Sequence, residues 1–511
     1  MIRCVKEKFN AFVYGIGLLS IILAIYQFFF RQGFWIDELF IGDNLVQKNF
    51  FELLKPLDKN QVAPIMFLWV EKGLLTIANM FNESWGDYFL RIYPLLCGFG
   101  IILLYYRLVL KLTDSKFISL VAYTLLVLNP VFIYYTSEVK QYICELFYAI
   151  LVVYVWMQKS ETGWNIKNTL LFLFVVLLSI FNSCTICFVL LPMGLYDGWI
   201  LLKKYHWKVK ELYKSKATIL YLIRYAGALV FLGTYYLCFL HHHPTSKMMH
   251  TYWKEYFVKF RNAIKILNEA FDWMYFDLNI FICVAGVMTL FVLRKKQAFI
   301  LSVFILLGHI FFSCFKLYPV SSRLVFYWMM FLPVCLASLL YFIYDKCVGF
   351  NGKRLKNILF LVFSAIFVFY FMPRKGEPFP FYLKGGYPKQ ALSFIDSVYV
   401  PGDVLIFQRQ FTPHEYLNKY YVKNIPSDRI YDFPDEENET CAIFLKKSRE
   451  YMTTLKGVNR VWLIARRYCD IKREFEKEQS DKGIPIKLSF VQETDSANWY
   501  LVEKIIHLDV Q

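Results

Sequence analysis

The sequence predicts a polytopic α-helical membrane protein of about eleven transmembrane helices, with interfacial helices in its first outer loop and a small C-terminal α/β domain outside the cytoplasm. Three observations carry this reading. The 511 residues are 57% hydrophobic and 19% charged, against roughly 45–50% and 25% in soluble domains. The apolar residues come in long blocks separated by short basic loops. From about residue 373 the blocks stop, and Pro373, Gly376, Pro378, Pro380, Gly385 and Gly386 mark a linker.

The first block runs from Ala11 to Phe30, about the 20 residues needed to cross a hydrocarbon core. No small-residue cleavage site follows it, so it reads as a retained anchor. Further blocks lie at 92–112, 117–136, 142–157, 169–182, 184–202, 217–240, 278–293, 298–317, 323–344 and 358–372. The blocks 169–182 and 184–202 are joined by a very short hinge at Asn182-Ser183. The net charge of +17 falls largely in loops: Arg3/Lys6/Lys8, Arg107/Lys111/Lys116, Lys203/Lys204/Lys208/Lys210/Lys214/Lys216, Arg294/Lys295/Lys296 and Lys346/Lys353/Arg354/Lys356. That is the positive-inside pattern of a multi-pass protein of the cell membrane with a cytoplasmic N-terminus. The partner implied is the lipid bilayer, and nucleic acid is excluded by this distribution.

Four segments then face outward. The first is a long loop over 31–91, where Leu39/Phe40, Leu45/Val46, Phe50, Leu53/Leu54, Met66, Val70 and Leu74 recur at helical spacing, as in helices lying in the membrane interface. The others are the turn Thr136–Tyr142, the segment 241–277 and the joint from 317 to 323. The expected division is a transmembrane domain over 1–372 and a soluble extracytoplasmic domain over 373–511. In the latter, β-like runs at Asp403–Phe407, Arg460–Ala465, Leu488–Gln492 and Trp499–Lys504 alternate with helical stretches near Lys389–Val398, Pro413–Tyr421 and Asp470–Gln479. Most of the 12 cysteines lie inside apolar blocks as small hydrophobes. Cys441 and Cys469 lie in the tail and could pair there.

Asp37 and Glu38 stand just past the first block, between Phe34-Trp35 and Leu39-Phe40. Two acids in a loop are ordinary punctuation. In an aromatic interfacial patch, however, partial desolvation raises a carboxylate's basicity, which suits a general base. The second constellation is the turn after Asn129-Pro130, where Glu138, Lys140, Gln141 and Tyr142 crowd between two blocks. A lone interfacial lysine snorkels to headgroups. A turn this polar lines a cavity instead, where Lys140 meets an anion such as a lipid phosphate and Tyr142 is a second donor. Arg323 opens a later block on the same side, and Arg91 precedes the second block. Each alone is an interfacial anchor; together they form a cationic set. Consecutive His241, His242 and His243 cannot readily ligate one ion, so no metal site is assigned. Asn82-Glu83-Ser84 and Asn438-Glu439-Thr440 are glycosylation sequons of low specificity.

The ordered set resembles the GT-C glycosyltransferases, in particular the family 39 branch that includes protein O-mannosyltransferases and the lipid A aminoarabinose transferase. The matching pieces are Trp35-Ile36-Asp37-Glu38, then Ala63-Pro64-Ile65 leading to Trp69, Arg91-Ile92-Tyr93-Pro94-Leu95-Leu96-Cys97-Gly98, and Asn129-Pro130 followed by Tyr135-Thr136-Ser137-Glu138-Val139-Lys140-Gln141-Tyr142. The likeness covers about the first 160 residues in motif and the later blocks only in topology. It implies that a sugar leaves a polyprenyl-phosphate carrier and joins an extracytoplasmic acceptor (glycan, lipid or protein) with inversion. Asp37 would be the base and Glu38 would position the acceptor. Lys140, Arg323 and Arg91 would hold the departing phosphate, with Glu138 and Tyr142 beside them. Many relatives carry a His where this chain has Ala63.

No Asp-x-Asp motif, P-loop or Gly-rich dinucleotide turn occurs. A lipid-linked donor requires no cofactor, and no divalent cation is indicated. The alternatives are a transporter or flippase of lipid-linked sugars, a polysaccharide polymerase or ligase, and a non-enzymatic scaffold. A transporter calls for charges deep within spans and repeated broken helices. Here the ionisable residues gather at the ends of blocks.

Overall fold

The computed structural model describes residues 2–30, 33–208, 211, 215–242, 253–259, 261–275, 277–347, 362, 364–366, 392, 395–407, 415–421, 423–432, 460–466, 486–493 and 503–510. In chain order the helices are α1 (Ile2–Phe30), α2 (Ile36–Gln47), α3 (Ile65–Phe81), α4 (Gly86–Thr113), α5 (Lys116–Val127), α6 (Pro130–Tyr135), α7 (Tyr142–Thr162) and α8 (Ile166–Asn182). There follow α9 (Cys187–Lys204), α10 (Lys216–Cys238), α11 (Ala263–Met274), α12 (Ile280–Val292), α13 (Lys296–Cys314), α14 (Leu332–Cys347) and α15 (Glu415–Tyr420). By contact the chain forms two compact units. One comprises Met1–Phe29, Phe50–Glu71 and Arg91–Gly376; the other comprises Phe30–Asn49, Lys72–Leu90 and Glu377–Gln511.

The first unit is a helix bundle. The helices begin where a short polar side chain accepts an otherwise unpaired backbone N–H. Ser115 caps α5 through Ile118 N–H at 3.4 Å, Asn165 caps α8 through Asn168 N–H at 2.9 Å, and Ser215 caps α10 through Thr218 N–H at 3.1 Å. Asn279 caps α12 by accepting from Phe281 and Ile282, each at 3.1 Å. Within the bundle α14 packs on α12 and α5, α8 on α7 and α10, and α9 on α13. Leu103, Leu229, Val230 and Phe281 point outward and exposed, as lipid-facing residues do.

Among the described residues, six segments are both long and apolar enough to cross a bilayer: Asn10–Phe30, Glu83–Thr113, Tyr142–Thr162, Lys216–His242, Lys296–Cys314 and Phe326–Lys346. Helices α5, α8 and α12 are apolar but shorter. The chain is therefore a multi-pass membrane protein, although fewer helices reach spanning length than the eleven blocks suggest. The physical reason is local. The block 117–136 is broken at Asn129-Pro130, because the residue before proline resists helical geometry and Pro130 pre-forms the start of α6. The block 323–344 does supply a spanning segment, Phe326–Lys346, which opens with a buried 3₁₀ stretch, Phe326–Met330. Block 358–372 lies mostly outside the described residues.

The second unit holds a five-stranded sheet of order β2-β1-β3-β5-β4, formed by β1 (Val404–Phe407), β2 (Ile430–Asp432), β3 (Arg460–Arg466), β4 (Ile486–Glu493) and β5 (Glu503–Val510). Strand β1 lies parallel between β2 and β3, with Leu405 level with Ile430 and Trp462. Strand β5 pairs antiparallel with β3 and β4, with Leu463 level with Ile506 and an irregularity in β4 between Leu488 and Phe490. Three expected strands and the helix near 413–421 are present; strand β2 was not expected. The run placed at 499–504 is displaced to β5, with 499–502 outside the described residues, as are the helix expected at 470–479, Cys441, Cys469 and Asn438. This unit also takes in 30–49 and 72–90, which the sequence alone assigns to the first outer loop of the membrane domain.

Close helix contact depends on Gly286 in α12, where a Cβ would stand 2.9 Å from the Cys335 carbonyl oxygen. Backbone cannot yield as a side chain does, so Gly286→Val must push α12 off α14. Such overpacking costs about 1–3 kcal/mol. A fall in the unfolding temperature of the detergent-solubilised protein is expected; an unchanged value would refute the contact.

Candidate functional site

Asp37 and Glu38 occupy the first turn of α2. The N-cap is Trp35, extended at φ −86° and ψ 169°, and its indole offers no acceptor to the helix. Glu38, at the third helical position, reaches back instead: its Oε2 accepts the Trp35 N–H at 3.0 Å. Glu38 is fully buried, whereas Asp37 is partly exposed. The two neighbours therefore have different surroundings. One is committed to capping; the other keeps access to solvent at a helix N-terminus, where the backbone dipole favours the ionised carboxylate a base requires.

The turn after α5 is built around Asn129. Its Oδ1 accepts the Val131 N–H at 2.8 Å, and its Nδ2 donates to the Met274 carbonyl at 2.9 Å. One buried side chain thus starts α6 and ties the turn to the end of α11. Lys140 is buried, and its Nζ donates to Gln61 Oε1 at 2.6 Å. It is not a snorkelling surface cation. Glu138 and Tyr142 are also buried, with Tyr142 packed edge-on against Tyr135 at 5.4 Å. The charges of Glu138 and Arg323 both act on the Tyr135 hydroxyl, so these groups share one neighbourhood. The Arg323 guanidinium lies over Trp253, 5.4 Å from the ring centre.

The Arg323 turn is held from beneath by His309. Its Nε2 lies 3.1 Å from the Pro319 carbonyl and its Nδ1 2.8 Å from the Tyr327 hydroxyl. A carbonyl can only accept, so Nε2 carries the proton and Nδ1 accepts from Tyr327. Arg91, near the start of α4, is among the largest fully buried side chains. Of the expected site residues, Lys140, Glu138, Tyr142, Arg323 and Arg91 belong to the first compact unit, and Asp37 and Glu38 to the second.

Several buried polar groups were not singled out by sequence. Gln61, ahead of Pro64, is Lys140's partner. Glu145, in the first turn of α7, accepts from the Cys184 N–H at 3.2 Å and from Thr185 Oγ1 at 3.3 Å, satisfying the break between α8 and α9. Tyr93 donates to Asn182 Oδ1 at 2.6 Å and lies 3.2 Å from the Tyr148 hydroxyl. Glu71 in α3 is fully buried, and neither of its carboxylate oxygens has a hydrogen-bond partner among the described residues. The signal available in sequence was an acid inside an amphipathic helical run, Met66-Val70-Leu74, at a position that helical spacing turns inward. Asp197 and Arg224 pair at 3.1 Å within α9 and α10, with Trp156 and Tyr225 also donating to Asp197. This pair corrects the expectation that ionisable residues stay at block ends.

Among the described residues no group of three or more His, Cys, Asp or Glu side chains could hold a metal ion. His241 and His242 lie in a 3₁₀ turn, Leu240–His242, and His243 lies outside the described residues. The described cysteines are unpaired.

No protein-family model matches the sequence, and no curated protein matches it. Among solved structures the chain is similar to ArnT from Cupriavidus metallidurans bound to undecaprenyl phosphate. There the identity is 8% and the TM-score 0.47, over 98% of this chain and 97% of that one. It is also similar to the oligosaccharyltransferase AglB from Archaeoglobus fulgidus in complex with an inhibitory peptide and a dolichol-phosphate. That match has 11% identity and a TM-score of 0.48, over 89% of this chain and 69% of that one. At these identities residue roles do not transfer.

Burial, and next to it the Cys97 thiol, holds the Glu71 carboxyl well above its ordinary value of 4.5. The folded chain therefore keeps a proton that the unfolded chain releases above that pH. Stability is fully present below 4.5 and is lost as pH rises toward the folded value, by about 1.4 kcal/mol per pH unit at most. Glu71→Gln removes this dependence. Its unfolding temperature should match the parent's near pH 5 and exceed it increasingly toward pH 8; parallel curves would show that Glu71 does not titrate this way.

Proposed function

We propose that this protein is an integral membrane glycosyltransferase that moves a sugar from a polyprenyl-phosphate carrier to an acceptor outside the cytoplasm, with inversion. The observation that carries the reading is the unlike pair at the start of α2: Glu38 buried as a cap, Asp37 partly exposed beside it. A general base needs a carboxylate held in place yet reachable by substrate, and that division supplies one.

Asp37 takes the proton from the acceptor hydroxyl or amine as that atom attacks the anomeric carbon. The bond between that carbon and the phosphate oxygen breaks, and its electron pair stays on the phosphate. Polyprenyl phosphate leaves as the anion, and attack from the opposite face inverts the centre. Lys140 with Gln61, Arg323 and Arg91 supply the fixed cations that growing phosphate charge requires. Glu138 and Tyr142 complete the polar surroundings of Lys140 and Arg323, and Glu38 orients the turn that bears Asp37. Undecaprenyl phosphate and dolichol phosphate, bound in the ArnT and AglB structures, are lipids of the carrier class. In this reading the N-terminus is cytoplasmic, residues 1–372 form the transmembrane domain, and the tail from 373 lies outside. The transport alternative calls for charges free to act inside the spans, and Asp197 and Arg224 are engaged with each other.

The test uses the full chain in nanodiscs with a panel of synthetic polyprenyl-phosphate hexoses and pentoses and a cell-envelope extract as acceptor. Asp37→Asn should reduce release of free polyprenyl phosphate by about 10²–10⁴-fold without loss of folded protein. Transfer at the parent rate sinks the assignment. Lys140→Gln should lower turnover by about 10²–10³-fold; an effect confined to donor KM would instead make Lys140 a binding residue only.

A further inference from the structure

The second compact unit contains, besides the sheet, the contact of its helix α15 with the helix that bears Asp37. Tyr416 is fully buried at the start of α15. Its hydroxyl donates to Asp87 Oδ1 at 2.8 Å, and Tyr421 donates to the other oxygen of the same carboxylate, also at 2.8 Å. The Tyr416 backbone N–H donates to Asp43 Oδ1 at 3.0 Å, and its ring lies 5.3 Å from that of Phe34. The ring also rests on Gly42, where a Cβ would stand 2.8 Å from Cδ2; only glycine admits it.

These contacts bracket Asp37 in sequence. Phe34 lies three residues before it; Gly42 and Asp43 lie within the following two turns of α2. Around them Tyr420 donates to Asn79 at 2.8 Å, and Lys423 meets Glu83 at 3.4 Å on the surface. The helix is tied in turn to the rest of the C-terminal domain. Asn424 N–H donates to Asp396 Oδ1 at 2.6 Å, and Asp403, at the head of β1, accepts from the Trp462 indole at 3.2 Å in β3. Hydrogen bonds thus join α15 to α2 and Asn424 to Asp396, and a separate one joins Asp403 to β3.

We propose that Tyr416 is a positioning residue for sugar transfer: it fixes the helix that carries Asp37, so the C-terminal domain sets the rate of the chemical step. This rests on the reading of Asp37 as the base. A shift of about 1 Å in a reacting group costs on the order of a hundredfold in rate, whereas carrier binding is left alone. The proposal therefore separates kcat from KM, which a domain that merely recognises substrate would not do.

The experiment measures kcat, donor KM and the pH–rate profile of the full chain in nanodiscs with the same donor panel. The variants are Tyr416→Phe, which removes one oxygen and leaves the ring, and Gly42→Val, which wedges the ring off α2. Both should lower kcat at least tenfold, leave donor KM within twofold and shift the acidic limb of the profile. Amide exchange of residues 36–47 should rise in both. Lys423→Gln, which breaks the exposed ion pair, should match the parent. If Gly42→Val does not fold, Tyr416→Phe decides alone, by kcat together with exchange. Parent-like kcat in Tyr416→Phe, or a loss expressed only in KM, overturns the proposal. Asp37→Asn is run beside them: if it is inactive while Tyr416→Phe matches the parent, positioning alone fails; if it is active, the base reading fails and takes this one with it.

Discussion

A hydrocarbon solvent offers no partner to a backbone amide, and the fold of this chain follows from that constraint. Inside the bundle the backbone is helical, and each interruption must be satisfied by a side chain. Asn129 satisfies the break before α6, Glu145 the break between α8 and α9, and the Tyr235 hydroxyl lies 3.3 Å from the Ile65 N–H at the start of α3. Polar side chains are thus drawn to helix ends for structural reasons. The same ends are where a lipid-linked substrate would meet protein, so candidate chemistry and capping compete for the same residues. Glu38 and Asp37 are the clearest case: of two adjacent acids, the one that caps the helix is fully buried and the other is partly exposed.

Burial of charge is the second theme. Lys140, Arg91, Glu71, Glu145 and the Asp197–Arg224 pair are all taken out of solvent. Isolated charges there would be costly, and the chain meets the cost in different ways. Asp197 gathers a guanidinium, a phenol and an indole, and Arg224 stacks on Trp164 at 3.8 Å. Lys140 donates to the Gln61 side-chain oxygen at 2.6 Å. Glu71 has no hydrogen-bond partner among the described residues, and burial holds its carboxyl well above the ordinary value.

The C-terminal unit takes on a role that its sequence position does not announce. Its helix α15 and the residue after it contribute three tyrosines, Tyr416, Tyr420 and Tyr421, of which the first and last share the buried Asp87 carboxylate, and glycines at 42 and 86 leave room for the Tyr416 and Tyr420 rings. The contact is polar at its centre and aromatic around it. That combination gives direction as well as affinity, because a carboxylate accepting from two phenols is satisfied in a narrow range of geometries.

The sequence by itself determined the class of protein, most helix positions, three of the strands and the two loops that carry the candidate chemistry. These are readable because apolar period, basic loops and capping residues act over a few neighbours. Only the tertiary structure decided the rest. It paired Lys140 with Gln61, across 79 positions of sequence, and Tyr416 with Asp87, across 329. It also buried the charged groups of Arg91 and Glu71, and it parted Asp37 from Glu38 by their surroundings. Partners so distant leave no periodic trace, and the burial of a charge depends on what packs against it.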